Sequence, residues 1–172
     1  LDWPLATRWR AEASLRADLT RYNYDNRMRD GNTAEDGTPC ASGGCLFSRP
    51  ADRHDRFVNL TPRLALSWAA GAGDRLYLSA ARGFRPPETT ELYRLQRQQA
   101  IAELDSERLG SIEAGWRHDS AQRSWSLAAY AMTKSNVILR DADAFAVADG
   151  RTTHRGLEYE FRQRLGGGWH LA

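Results

Sequence analysis

The feature that most constrains this chain is a strict two-residue alternation between apolar and polar side chains. From Trp9 to Thr20 every odd position is apolar and every even position is polar or charged. Consecutive side chains of a β-strand point to opposite faces of a sheet, so this stretch predicts a strand with one apolar and one polar face. The two faces must therefore meet different surroundings.

The alternation recurs along the chain and predicts an all-β fold. Five further segments carry it, and a seventh strand is predicted to begin near Trp169. These segments are 59–68, 75–80, 111–117, 124–131 and 157–162. No helix-period pattern of comparable length competes with them, although residues 88–104 can hold one or two helical turns.

The connections between the predicted strands alternate in length. Long or intermediate loops at 25–56, 84–106 and 140–150 alternate with short turns at 69–74, 118–123 and 166–168. This separation of loop lengths is typical of up-and-down barrels in the bacterial outer membrane. All six tryptophans lie near the short-turn side, where they predict an aromatic girdle at a membrane interface. We expect an antiparallel up-and-down transmembrane β-barrel fragment rather than a soluble sheet.

Charge and cysteine content refine this expectation. The 24 basic and 22 acidic residues nearly cancel, so the balance does not favour a nucleic-acid partner. Charges of both signs on the predicted polar face, such as Arg10 and Glu12, indicate a wide, wet or plugged lumen, since burying them would be costly.

In an exported protein Cys40 and Cys45 would form a disulfide, whereas in the cytosol they would be free thiols.

The run ARGFRPPETTELYR at 81–94 resembles the mid-barrel signature of TonB-dependent outer-membrane receptors. Two later segments, LDSERLGSIEAGWRH and NVILRDADAFAVADGRTTHRGLEYEF, resemble the same family in the same order. The positions that carry the signature are Arg82, Gly83, Phe84, Arg85, Pro86, Glu91, Leu92 and Tyr93.

The resemblance implies that residues 1–172 form about six to seven strands of a larger barrel of roughly 22 strands. It also implies energy-coupled uptake of a scarce, bulky ligand across the outer membrane, most often a ferric siderophore. The partners implied are that ligand, outer-membrane lipid and an inner-membrane energy-coupling complex. We expect no plug domain and no coupling segment within these residues.

Within the signature, we expect a structural corner rather than direct ligand contact. Pro86 and Pro87 lack the N–H groups that would continue a strand ladder, so the strand is predicted to end there. Two sets of contacts are expected around this corner: Phe84 and Tyr93 packing the emerging loop, and Arg82 and Arg85 pairing with Glu88 or Glu91.

Candidate ligand contacts lie in the two longest predicted loops. Arginine and tyrosine suit an anionic, aromatic-rich ferric chelate, because guanidinium pairs with carboxylate or catecholate oxygens. The candidates are Arg53, His54 and Arg56 in loop 25–56, and Tyr93, Arg94 and Arg97 in loop 84–106. An ordinary solvated loop is the alternative for each of them.

The sequence carries no catalytic motif, no cofactor motif and no metal-ligand spacing. Asp141, Asp143 and Asp149 share one loop, but aspartate is common in loops for its local hydrogen bonds. We expect a transporter rather than an enzyme. Two alternatives remain open from the residues alone: a non-energised barrel such as a porin or adhesin, and a soluble all-β interaction module.

Overall fold

The fold is described by a computed structural model that covers residues 2–27, 33–34, 36, 38–40, 45, 47–96, 99–165 and 169–171. Within these residues the strands are β1 (Asp2–Ala6), β2 (Trp9–Tyr24), β3 (Phe47–Ser48), β4 (Arg53–Gly71), β5 (Asp74–Arg85), β6 (Leu95–Gln96), β7 (Glu107–Asp119), β8 (Arg123–Arg140), β9 (Ala146–Arg164) and β10 (His170–Leu171). One short helix, α1 (Thr89–Tyr93), lies between β5 and β6. It lacks the length and the apolar composition that crossing a membrane would require of a helix.

The strands form an antiparallel meander. Eight described strands make one sheet in the order β1-β2-β4-β5-β7-β8-β9-β10, and β3 pairs with β6 in a separate two-stranded ribbon. The large sheet follows chain order once β3 and β6 are set aside, so its connections emerge alternately at two ends. Turns 7–8, 72–73 and 120–122 lie at one end, which we call the turn end, and segments 25–52, 86–106 and 141–145 lie at the other, the loop end.

The alternation located the strands correctly but not all of their ends. The predicted strands correspond to β2, β4, β5, β7, β8, β9 and β10, whereas β1 and the two-residue strands β3 and β6 were missed. β4 begins at Arg53, so the loop predicted at 25–56 ends at residue 52. β8 and β9 also run further than predicted, which reduces the loop at 140–150 to 141–145. Near the loop end both strand faces carry polar residues, so the backbone ladder continues where the alternation fades.

One face of the sheet, the apolar face, carries exposed hydrophobic side chains in cross-strand rows. Trp9, Trp68, Leu76 and Trp116 form one such row near the turn end. The rings of Trp9 and Trp68 are stacked with centroids 5.8 Å apart. Towards the loop end the next rows are aliphatic, and they include Leu78, which is 48% exposed, and Leu157, which is 77% exposed. Such a continuous exposed apolar surface indicates contact with something other than water.

Polar groups next to the tryptophan row are hydrogen-bonded to one another. The Trp116 indole N–H donates to the Asp74 carboxylate at 3.0 Å, and His118 Nδ1 lies 3.0 Å from the same oxygen. The His118 ring also stacks on Trp125, with centroids 5.9 Å apart. An apolar body with a hydrogen-bonded tip suits an aromatic girdle at a membrane interface, which stays a prediction from the sequence.

The opposite face, the polar face, carries charges of both signs. The Tyr77 hydroxyl donates to Glu113 at 2.6 Å, and the Arg117 guanidinium lies over the Tyr77 ring at 4.9 Å from its centroid. Gly115 makes room for this ring, because a Cβ there would overlap it. The bulky groups on this face therefore pack against one another across neighbouring strands.

Candidate ligand-binding site

The candidate site lies at the loop end, where segment 86–106 folds onto the polar face. β5 ends at Arg85, immediately before the two prolines, as predicted. α1 then begins with a capping box, in which Glu88 and Glu91 bond to each other's backbone N–H groups. The Glu91 carboxylate accepts the Glu88 N–H at 2.7 Å. This turn fixes the direction in which the chain leaves the strand.

Arg85 joins this turn to the sheet. Its two terminal nitrogens donate to the two carboxylate oxygens of Glu91, each at 3.0 Å, and its Nε donates to Glu107 at 2.7 Å. Glu107 is almost fully buried and also pairs with Lys134 at 2.7 Å. Planar, two-point pairing of this kind fixes orientation as well as contributing free energy. The predicted pairing of Arg85 with Glu88 or Glu91 is thus present, with Glu88 the more distant partner at 3.7 Å.

The corner contacts predicted for Arg82 and Phe84 are absent among the described residues. Arg82 lies three residues before Arg85, so alternation places it on the apolar face, exposed and away from both glutamates. Phe84 also lies on the apolar face, opposite Arg108, and is not part of the buried loop cluster. The prediction for these two residues was wrong, and that for Arg85 and Tyr93 was correct.

The buried apolar residues of the described chain cluster beneath the loop-end segments. Leu92 and Leu95 are almost completely buried, and Ala102, Leu104 and Ala146 pack with them. β3 pairs with β6 here, which ties segment 25–52 to segment 86–106. Phe47 and Ser48 therefore form one compact body with the described residues of segment 86–106, which we call the loop-end body.

Two buried polar side chains complete this body. The Ser48 hydroxyl lies 2.6 Å from the Gln99 carbonyl oxygen, to which it donates. The Gln99 amide donates to the Ala146 carbonyl at 3.0 Å and accepts from the Ala146 N–H at 3.1 Å. The Gln99 side-chain amide thus makes the same pair of hydrogen bonds to Ala146 that a neighbouring strand would make. These bonds attach the loop-end body to the start of β9.

Tyr93 is the central aromatic residue of the site. Its ring stacks on Tyr24 with centroids 4.3 Å apart and an interplanar angle of 10°, and it meets Tyr22 edge to face. Its hydroxyl donates to Asp55 at 2.8 Å, and Asp55 in turn pairs with Arg53 at 2.5 Å. Burial, reinforced by the bond to Asp55, raises the pKa of the Tyr93 phenol well above its usual range.

Beside this aromatic stack lies an open cleft of about 460 Å³. The residues that line it include Tyr22, Tyr24, Arg49, Tyr93 and Arg94. The Arg94 guanidinium lies 4.1 Å above the centre of the Phe47 ring and also borders a second, smaller cleft. Three arginines, with Arg21 as the third, and three tyrosine rings line the cleft, so it can hold an aromatic or planar anion.

The structure separates the residues that the sequence grouped as loop candidates. Tyr93 and Arg94 line the cleft. Arg53 belongs to β4, where it supports Tyr93 through Asp55 instead of facing solvent in a loop. His54 and Arg56 also belong to β4, and alternation places both on the opposite face, exposed. The loop assignment of these three was wrong because β4 extends beyond its alternating part. Arg97 lies outside the described residues.

Two other predicted features lie in loop-end segments. The Cα atoms of Cys40 and Cys45 are 5.3 Å apart, within the range that a disulfide spans, and oxidation in the cell stays a prediction. Asp141 accepts hydrogen bonds from the N–H groups of Asp143 and Phe145, at 3.0 and 2.8 Å. It therefore shapes the turn between β8 and β9, as expected for a plain loop.

Sequence reasoning missed Tyr22, Tyr24 and Phe47. Tyr22 and Tyr24 occupy even positions of β2, which hold polar residues earlier in the strand. Aromatic rings on the polar face near a strand end were the available signal, because such rings need a packing partner there. Phe47 lies in a non-repeating loop and gave no such signal.

Comparison with known proteins places this architecture in a family. The family model for the β-barrel of TonB dependent receptor-like proteins matches residues 1–172. A search of curated protein sequences found no match.

Several solved structures share the fold. The chain resembles the copper transporter OprC, with a TM-score of 0.73, 14% identity and coverage of 98% of this chain and 27% of OprC. It also resembles the ferric-catecholate import receptor Fiu of E. coli K12, with a TM-score of 0.69, 12% identity and coverage of 96% and 24%.

The hemophore receptor HasR of Serratia marcescens gives a TM-score of 0.58 at 20% identity, with coverage of 92% of this chain and 30% of HasR. The chain thus spans about a quarter of the length of these solved receptors. At such identities the likeness concerns the fold, and the family-model match covers every residue. The chain belongs to the TonB dependent receptor-like β-barrel family.

Proposed function

We propose that this chain supplies part of the barrel wall and loop-end binding surface of an outer-membrane receptor that imports a ferric siderophore. The apolar face contacts outer-membrane lipid, and the polar face borders the lumen. Uptake is energised through an inner-membrane coupling complex that acts on other parts of the receptor. The ligand is moved without chemical change.

The observation that carries this proposal is the cleft beside Tyr93 at the loop end. It combines three tyrosine rings with Arg49 and Arg94. Ferric chelates of the catecholate class are bulky, aromatic and anionic, so they can stack on rings and accept hydrogen bonds from guanidinium groups. Among the solved structures with this fold, Fiu is described as a ferric-catecholate import receptor.

The fixed geometry of the cleft also supports binding. Tyr93 is held by Tyr24, Tyr22 and Asp55, and Arg85 holds the helix that carries it. A preformed site loses less conformational entropy on binding than a mobile loop does. The loop-end body therefore presents a rigid aromatic wall to an arriving ligand.

The first test substitutes Arg94→Gln in the complete receptor. Affinity for a ferric catecholate chelate is measured by quenching of tryptophan fluorescence in detergent. We expect binding to weaken roughly tenfold or more, because a charge-assisted hydrogen bond is lost. Uptake of ⁵⁵Fe by iron-starved cells should fall in parallel and should stop when the proton gradient is dissipated.

The matched control is Arg27→Gln, which removes the same charge from an exposed arginine paired with Asp25 outside the cleft. It should bind as the unmodified receptor does. Equal affinity of the two variants for ferric catecholate, ferric hydroxamate and haem would remove the cleft from the binding site. Uptake that continues without the proton gradient would instead indicate a non-energised barrel.

A further inference from the structure

The apolar face carries an unexpected group of positive charges near the loop end. In the register of the sheet, Arg82 lies in one cross-strand row with Gly110, Thr133 and Thr153. The next row towards the loops contains Phe84, Arg108, Ser135 and Arg151. We call the group formed by Arg82, Arg108, Thr133, Ser135, Arg151 and Thr153 the arginine–hydroxyl patch.

The members of this patch are neighbours on one surface. Arg108 and Arg151 flank Ser135, one strand to either side, so they lie two strand spacings apart, about 10 Å. Arg82 is the diagonal neighbour of Arg108, a relation that long side chains can span. The three arginines are exposed, and no hydrogen bond or ion pair joins them to another described residue.

The sign of the charge on this face is one-sided. Between the tryptophan row and the loop end, the apolar face carries no Asp or Glu among the described residues. This holds for the regularly paired parts of β2, β4, β5, β7, β8 and β9. Arg21 and Arg56 are even direct cross-strand partners there. Like charges placed opposite each other are destabilising unless an anion lies between them. The polar face, by contrast, carries both signs, as in the pair of Arg85 and Glu107.

The patch is continuous with a surface that suits hydrocarbon. Directly on its turn-end side the same face presents Ala80, Ile112 and Ala131, with the exposed Arg155 at the β9 end of that row. The next row contains Leu78 and Leu157. Ile112 is 51% exposed, and Leu157 is 77% exposed. An occupant that complements both regions carries phosphate groups at one end and acyl chains at the other. A phosphopeptide or a nucleic acid would leave the apolar rows uncovered.

We propose that the arginine–hydroxyl patch binds the phosphate groups of a lipid in the membrane leaflet at the loop end. Guanidinium groups pair with phosphate oxygens at two points, and the Thr and Ser hydroxyls between them donate further hydrogen bonds. The acyl chains of that lipid lie along the aliphatic rows. This inference rests on the proposed membrane location and is independent of which ligand the receptor imports.

The test uses the complete receptor in non-ionic detergent, with lipid A as the probe. Native mass spectrometry measures the fraction of receptor that retains lipid A, dephosphorylated lipid A with the same acyl chains, or inorganic phosphate. We expect phosphorylated lipid A to bind at least about tenfold more tightly than the dephosphorylated form. The triple variant Arg82→Gln, Arg108→Gln, Arg151→Gln should lose about 100-fold in affinity for it, since each arginine contributes about a factor of five.

Two further variants keep the test decisive. The triple lysine variant at the same positions keeps the charge and should retain most of the binding. The triple variant Arg75→Gln, Arg117→Gln, Arg162→Gln removes the same charge from the same three strands, on the polar face. It should bind lipid A as the unmodified receptor does. Each variant is run on a gel with and without heating. A barrel that was folded migrates more slowly after heating, so this shift reports whether the variant is folded.

Three outcomes would overturn the inference. Equal binding of the two lipid forms would show that the apolar rows alone hold the lipid. Unchanged binding by the triple glutamine variant would show that the patch does not bind lipid A. Displacement of lipid A by millimolar inorganic phosphate alone would show that the patch is an ordinary anion site. Insertion into phosphatidylcholine vesicles, followed by protease protection, tests the membrane location separately. A receptor that inserts but does not distinguish the lipids contradicts only the patch.

Discussion

Arg85 determines whether the loop-end body stays attached to the sheet, and its removal gives a quantitative prediction. Lifting α1 from the sheet breaks two charge-assisted hydrogen bonds between Arg85 and Glu91, each 3.0 Å long. The bond from Arg85 to Glu107 joins neighbouring strands and can persist when α1 opens. The variant Arg85→Ala should therefore promote local opening of α1 while β5 and β7 stay paired.

The magnitude follows from these two bonds. A charge-assisted hydrogen bond contributes roughly 1.5–3 kcal/mol when shielded from water. The side chain of Arg85 is 38% exposed, so screening lowers this contribution, and we take about 1 kcal/mol for each bond. The closed form of α1 should then lose about 2 kcal/mol, which corresponds to a roughly 30-fold increase in its open fraction. A five-residue helix cannot compensate by its own stability.

Hydrogen exchange measured by mass spectrometry on the complete receptor reads this opening directly. Amides of Leu92 and Arg94 should exchange about 30-fold faster in the variant, whereas amides within β5 and β7 should keep their protection. Arg82→Ala is the control, since it removes the same side chain type from the same strand without breaking a described ion pair. If the two variants exchange equally in α1, Arg85 does not hold the helix.

Two further predictions concern packing and ionisation. Gly115→Ala places a methyl group against the Tyr77 ring and should lower the free energy of unfolding by about 1–3 kcal/mol. Gly110→Ala, with no atom within 4 Å of the new Cβ, should change it little; equal urea midpoints for the two would contradict the packing argument. The pKa of Tyr93 is raised in the folded protein, so its neutral phenol stabilises the closed form of α1 fully below about pH 10, the usual tyrosine pKa. This stabilisation is lost as pH rises through the folded-state pKa. The protection factors of the α1 amides, which correct for the base catalysis of exchange itself, should fall as pH rises above about 10, and Tyr93→Phe should remove this fall. An identical profile of protection factor against pH in the two proteins would count against the Asp55 bond.

Much of the sheet could be predicted from alternation because a sheet between two different media imposes it on every strand. The ends of β4, β8 and β9 could not be predicted, since near the loop end both faces carry polar residues. The same limit misplaced Arg53, His54 and Arg56 in a loop. Strand phase alone, however, already separates Arg82 from Arg85, because residues three apart lie on opposite faces.

The candidate site was only half visible in the sequence. The arginine and tyrosine residues of loop 84–106 directed attention to Tyr93 and Arg94, which do line the cleft. Tyr24, Asp55 and Phe47 come from other parts of the chain, and no local pattern announces that they meet Tyr93 or Arg94. Long-range contacts of this kind depend on the register between strands, which a single sequence does not specify.

The sequence by itself determined the all-β class, the identity of the two faces and the corner at Pro86. Each of these follows from neighbouring residues, through alternation or through the missing proline N–H. Only the tertiary structure decided that Phe47 and Ser48 pair with Leu95 and Gln96 of the other long loop. It also decided that three arginines of separate strands share one surface with hydroxyl groups. The physical reason is that pairing between strands brings together residues far apart in the chain, as with Trp9 and Trp68, and this proximity is a property of the whole sheet.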